Sequence, residues 1–181
     1  MSNTNKQRTI LSIAPSTPGF GFAFIQEPAN LINWGIKWIG TEKKNKKALR
    51  AVKKMIQRLG PDVIVLHQAS ESGSRRSKRI QELTQQLKLL AKHHGIPVYS
   101  VTQKKLQEYF FGGDEGTKYT RAKLLAERFP KELGHLMPPK RQAWMSENPW
   151  MATFDAVALA LTLMYLGTKS GSPQKLKNGL K

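Results

Sequence analysis

The sequence predicts an α/β fold: a mixed five-stranded sheet, three antiparallel strands followed by two parallel ones, flanked by helices. Three observations predict it. Three apolar runs follow one another across residues 9–39 with short turns between them, too little chain for any connection but hairpins. Two brief continuous apolar runs, DVIVLHQ at 62–68 and IPVYSV at 96–101, are each preceded by a helically periodic stretch. That is the mark of strands reached by a crossover and buried on both faces. Finally, residues 151–166 are rich in Ala and Leu and nearly free of charge, as a buried helix is.

Thr9 to Ala14 is β-branched and apolar, a Pro/Gly/Ser/Thr turn follows, and Gly21 to Gln26 returns as the second strand. Leu31 to Ile39 alternates, with Ile32, Trp34, Ile36 and Trp38 on one side, so a third strand is expected. Its aromatic row reads as core, with base stacking as the alternative. KKNKKALRAVKKMIQRLG sets Leu49, Val52, Ile56 and Leu59 three and four apart among basic residues and closes on Gly60-Pro61, an amphipathic helix with its stop signal. After the fourth strand comes ASESGSRRSK, a Ser/Gly loop loaded with positive charge, and then Ile80, Leu83, Leu87 and Leu90 mark a helix reaching about His94. Beyond the fifth strand, Thr102 to Phe111 and Lys118 to Arg128 read as helices around a GGDEG turn, and PPKRQAWMSENPW is poorly patterned. Residues 1–8 are expected to be a flexible start, 9–167 the domain, and 168–181 a basic disordered tail.

The 181 residues suffice for one domain with a substantial core. Thirty Lys and Arg stand against twelve Asp and Glu, a formal charge of +18, and such a field attracts polyanions. Nucleic acid is the expected partner. An anionic membrane would call for a strongly amphipathic basic helix or a lipidation motif, and no such motif is visible. With no cysteine, disulfides, thiolate zinc sites and thiol redox chemistry are excluded. The N-terminus is polar and lacks a signal-peptide core, and the run at 156–166 is too short to span a bilayer. A soluble protein of the cytoplasm, nucleoid-associated if its partner is DNA, is the expectation.

Three stretches together carry a resemblance: ILSIAPSTPGFGFAFI at the first hairpin, DVIVLHQ at the fourth strand and FDAVALALT in the last helix. In order and spacing they resemble the ribonuclease H-like superfamily, and within it the RuvC-type Holliday junction resolvases. The resemblance implies phosphodiester hydrolysis by two divalent ions, Mg or Mn, held by three or four carboxylates at adjacent strand ends and on the final helix. Carried over position by position, the first carboxylate is Ala14, the second His67 and the last Asp155, and the second helix acid falls at Ala152. Asp155 is thus the single retained catalytic and metal candidate. His67, with Gln68, Glu71 or Glu147, is the material from which a rebuilt metal site would have to come. The competing readings make His67 a strand-end histidine bonded to backbone, and Asp155 a buried carboxylate paired with Lys37 or Arg121.

For nucleic-acid contact, Arg75, Arg76, Lys78 and Arg79 sit directly after the fourth strand, where forked guanidinium groups suit phosphate. Lys118, Arg121, Lys123, Lys140 and Arg141 are further candidates, while Lys43, Lys44, Lys46 and Lys47 read as a solvated helix face. Trp144 and Trp150 either stack on bases or pin their loop to the core. Two functions follow. One is a binding module for structured or branched nucleic acid, DNA before RNA, with its nuclease centre lost. The other is a structure-selective endonuclease with a rebuilt site. The resemblance also implies a homodimer.

Overall fold

A computed structural model describes residues 7–68 and 77–169. The order of elements is β1 (Thr9–Pro15), β2 (Gly19–Gln26), β3 (Asn30–Trp38), α1 (Lys44–Leu59), β4 (Val63–His67), α2 (Lys78–His93), β5 (Val98–Val101), α3 (Gln103–Phe111), α4 (Lys118–Arg128) and α5 (Met151–Lys169). In space the strands run β3-β2-β1-β4-β5. β1 pairs antiparallel with β2 and parallel with β4, β2 antiparallel with β3, and β4 parallel with β5. The predicted mixed sheet is the observed one, and α5 runs two residues past the expected edge of the domain.

Alternation along the strands divides the core in two. Ile10, Ala14, Ala23, Ile25, Val63 and Val65 face α3, α4 and α5. Leu11, Ile13, Phe20, Phe22, Phe24, Ile64 and Leu66 face α1 and α2. The alternation in GFGFAF therefore has a steric meaning: the large residues fill one side, and the small ones let a helix come close on the other. At Gly21 the approach is extreme, because a Cβ there would lie 2.0 Å from the Ala152 carbonyl oxygen. α5 contacts all five strands. One polar bond fixes its depth: the fully buried Ser12 hydroxyl donates to the Ala156 carbonyl at 2.6 Å.

β3 departs from simple alternation. Phe24 pairs with Asn33 and Ile25 with Leu31, so Ile32 is an extra residue in the strand. A bulge of this kind flips the register of the faces. Leu31 and Trp34 consequently share the core with α5, while Ile32 is 46% exposed. Trp38, at the end of this edge strand, is 60% exposed. The expected row of four core residues is thus broken, with Trp34 kept inside and Ile32 and Trp38 left out.

Helix starts follow local chemistry. Ser77, Thr102 and Thr117 cap α2, α3 and α4, each side chain accepting a backbone N–H three residues on. The cap at Thr117 makes Lys118 the first residue of α4, and Arg121 lies one turn later on the same face.

Candidate functional site

The C-terminal ends of β1 and β4 and the start of α5 converge on one cleft of about 560 Å³. Ala14, His67, Ala152 and Asp155, the positions that the resemblance assigned to carboxylates, all line it. Ala14 is cross-strand partner to Gly21, which lies against Ala152. Where β1 meets α5 the cleft wall is accordingly methyl groups and backbone.

Asp155 projects from the second turn of α5 and is 22% exposed. Its Oδ1 accepts from Arg121 Nη2 at 2.7 Å, and its Oδ2 lies 3.1 Å from Lys118 Nζ. Arg121 is only 3% exposed, and its Nη1 is buried without a hydrogen-bond partner. Lys118, about half exposed, also donates to Glu147 Oε1 at 2.9 Å. Two cations and two carboxylates thus close a neutral cluster. Burial opposes the charge on Asp155, but Lys118 and Arg121 outweigh it and hold the carboxyl below its usual range. For Lys118, burial is likewise opposed by Asp155 and Glu147, which push the ammonium up.

His67 ends β4 half-buried. Its Nδ1 lies 2.8 Å from the Gln68 carbonyl; since a carbonyl only accepts, that nitrogen carries the proton. Nε2 faces the Gln103 side-chain amide at 3.4 Å.

Do these residues fit a pair of divalent ions? Magnesium asks for several oxygen ligands in a tight octahedron. Two of the four ligand positions are methyls, one is an imidazole, and both oxygens of the remaining carboxylate face cations. Among the described residues no three His, Asp or Glu side chains are grouped to hold a metal. The residues do not fit.

The other candidates divide. Arg121 is not at the surface: it is the buried partner of Asp155, and Lys37, the alternative partner, instead stands over the Phe22 ring. Arg79 donates to the Ser16 carbonyl at 2.7 Å and to Asn45 Oδ1 at 3.2 Å, bracing the β1–β2 turn at the cleft rim, and Lys44 donates to Thr17 of the same turn. Lys78, Lys123, Lys140 and Arg141 are exposed, as are Lys43, Lys46 and Lys47. Arg75, Arg76 and Glu71 lie outside the described residues. Trp150 is half-buried, whereas Trp144 is 84% exposed in the segment that supplies Glu147 to the cleft. The pairing of Asp155 with Arg121 is one of the alternatives read from the sequence; Gln103 beside His67 and Lys118 as the second partner of Asp155 were not. The one available signal for the latter was the Lys118/Arg121 spacing on a helix otherwise free of acids in its first turn.

No protein-family model and no curated protein matches the chain. Solved structures do match. RuvC of Thermus thermophilus in complex with a Holliday junction substrate superposes with a TM-score of 0.66 at 15% identity, over 92% of this chain and 99% of that one. The yeast mitochondrial Holliday junction resolvase gives 0.58 at 17%, over 87% and 78%. The Fowlpox virus resolvase in its junction DNA complex gives 0.51 at 16%, over 86% and 97%. At such identities the likeness concerns the path of the backbone, and among the described residues the helix-flanked sheet of three antiparallel and two parallel strands is the ribonuclease H-like fold of RuvC and other Holliday junction resolvases.

Proposed function

We propose that the protein is a binding module for structured or branched nucleic acid, DNA in preference to RNA, whose nuclease centre is lost. The observation that carries this reading is the cleft: of the four positions that the resemblance assigns to carboxylates only that of Asp155 holds one, Arg121 and Lys118 already neutralise it, and Glu147, the other acid lining the cleft, is held by Lys118. The formal charge of +18 supports nucleic acid as the partner, and the Thermus thermophilus RuvC and Fowlpox virus resolvase that share the fold are held in complex with Holliday junctions. In this reading Lys78, Lys123, Lys140 and Arg141 contact phosphates together with Arg75 and Arg76, and Arg79 holds the rim in place. Exposed Trp144 offers a face to an unstacked base. The setting that goes with such a partner is the cytoplasm and its nucleoid.

The experiment is a mobility-shift series with four-way junction, flap, duplex and RNA/DNA hybrid at low salt. Binding to the branched substrates without cleavage is the expected result. Failure to shift any nucleic acid defeats the reading.

One observation favours the rival endonuclease: His67, Glu147 and Asp155 do line the same cleft. Incubating labelled junctions with magnesium and then manganese decides between them. Cleavage that Asp155→Asn abolishes establishes the enzyme; intact binding with no cleavage establishes the module. Sedimentation with and without junction DNA tests the homodimer that the resemblance implies.

A further inference from the structure

We propose that Arg121 and Lys118 stand in for the missing divalent cations, so that protein-borne charge organises the cleft and bars metal from it. The inference rests on reading the cleft as a nuclease centre that has lost its ligands, but its test does not need nucleic acid to bind.

Each oxygen of Asp155 has its own cation, Arg121 at 2.7 Å and Lys118 at 3.1 Å. A divalent ion would need those same oxygens at about 2.1 Å and would meet two positive charges beside it. Arg121 cannot yield by losing its proton. Nor is it free to swing out, since it is 3% exposed inside the α4–α5 contact and one of its nitrogens is already without a partner. Glu147, reaching from the segment before α5, ties down Lys118 and brings the cluster to neutrality. Restoring acids at 14 and 67 would therefore not restore metal binding while Arg121 and Lys118 remain.

The two arrangements respond to loss of the carboxylate with opposite signs. In an empty metal site acids repel one another, so removing one stabilises the protein. Here removal leaves a buried guanidinium without its counter-charge, which destabilises.

The test is thermal unfolding of the full chain and its Asp155→Asn variant, in chelator and in millimolar magnesium or manganese. In chelator the variant is expected to unfold roughly 6–20 °C below the parent, and the parent's midpoint is expected not to move with either metal. A variant as stable as the parent or more stable in chelator overturns the inference. So does a parent midpoint that climbs with manganese, a measurement that needs no variant to fold. A third arm titrates manganese into Ala14→Asp/His67→Glu with and without Arg121→Met and Lys118→Met; binding that is equally tight in both backgrounds also overturns it. If no nucleic acid binds but Asp155→Asn destabilises in chelator, the functional reading falls and this inference stands.

Discussion

Replacing Gly21 by Ala tests how α5 is seated, and with it the geometry that brings Asp155 to the cleft. The added Cβ would sit 2.0 Å from the Ala152 carbonyl oxygen, 2.1 Å from its carbon and 2.5 Å from Thr153 N. All three are backbone atoms, so no side chain can turn aside. Relief to even a tight contact near 3.0 Å requires the start of α5 to lift by about 1 Å. That movement works against the 2.6 Å Ser12–Ala156 hydrogen bond and against the contacts of α5 with every strand. Overpacking in a close-packed core costs about 1–3 kcal/mol, and a weakened buried hydrogen bond about 1 kcal/mol more. A loss of about 3 kcal/mol lowers the midpoint of a domain this size by roughly 6–12 °C. Circular dichroism melts of Gly21→Ala measure it, with Gly134→Ala as control, since a Cβ at Gly134 meets nothing within 4 Å. A Gly21→Ala midpoint indistinguishable from the control refutes the packing argument.

Stability should depend on the Asp155 carboxylate in a defined pH window. Because its folded pKa lies below the usual 3.8, its contribution is complete above that value and vanishes as pH falls through the lower folded one. Lys118, raised above 10.5, contributes fully below that value and loses its share as pH climbs through the higher folded one. The gap between parent and Asp155→Asn in denaturant melts is thus flat near neutrality, closes in strong acid and narrows above about pH 10.5 as Lys118 loses its charge; a gap that drifts between pH 6 and 8 contradicts the assignment. For binding, phosphate contacts by the six cations of the proposed interface, Arg75, Arg76, Lys78, Lys123, Lys140 and Arg141, give a log–log salt slope of about −5.4, or roughly 1,800-fold weaker binding over a fourfold rise in salt. Anisotropy titrations check it, and a nearly salt-independent affinity rules it out. Trp144→Ala should weaken binding to DNA with unpaired bases by roughly 5- to 150-fold while leaving the melting midpoint in place, because the side chain is 84% exposed. Unchanged affinity would leave Trp144 without a binding role.

What was legible in the sequence, and what was not, follows from the range of the interactions. The order of elements was legible because each rests on local periodicity and punctuation: Leu49, Val52, Ile56 and Leu59 before Gly60-Pro61, or Ile80 to Leu90 before Gly95. The strand-end and helix positions that meet in the cleft came from the resemblance, not from the residue pattern; the sheet order β2-β1-β4 sets the ends of β1 and β4 side by side, where α5 crosses them. Ile32 misled because a bulge depends on the partner strand, and alternation read along one strand cannot detect an extra residue. Arg121 stood under two readings, phosphate contact and partner of Asp155, and the sequence could not choose between them for a related reason. On an isolated helix a cation reads as surface, and its burial is decided by how α4 meets α5, where Asp155 waits 34 residues further along the chain. A carboxylate that ligates a metal and a carboxylate in a salt bridge share one letter in the sequence; what separates them is the charge of the neighbours brought by the fold. The pairing of Asp155 supplies the physical ground for the reading proposed: with methyls at 14 and 152, an imidazole at 67 and Glu147 already held by Lys118, this carboxylate has greater use for a fixed guanidinium than for an ion that it cannot hold unaided.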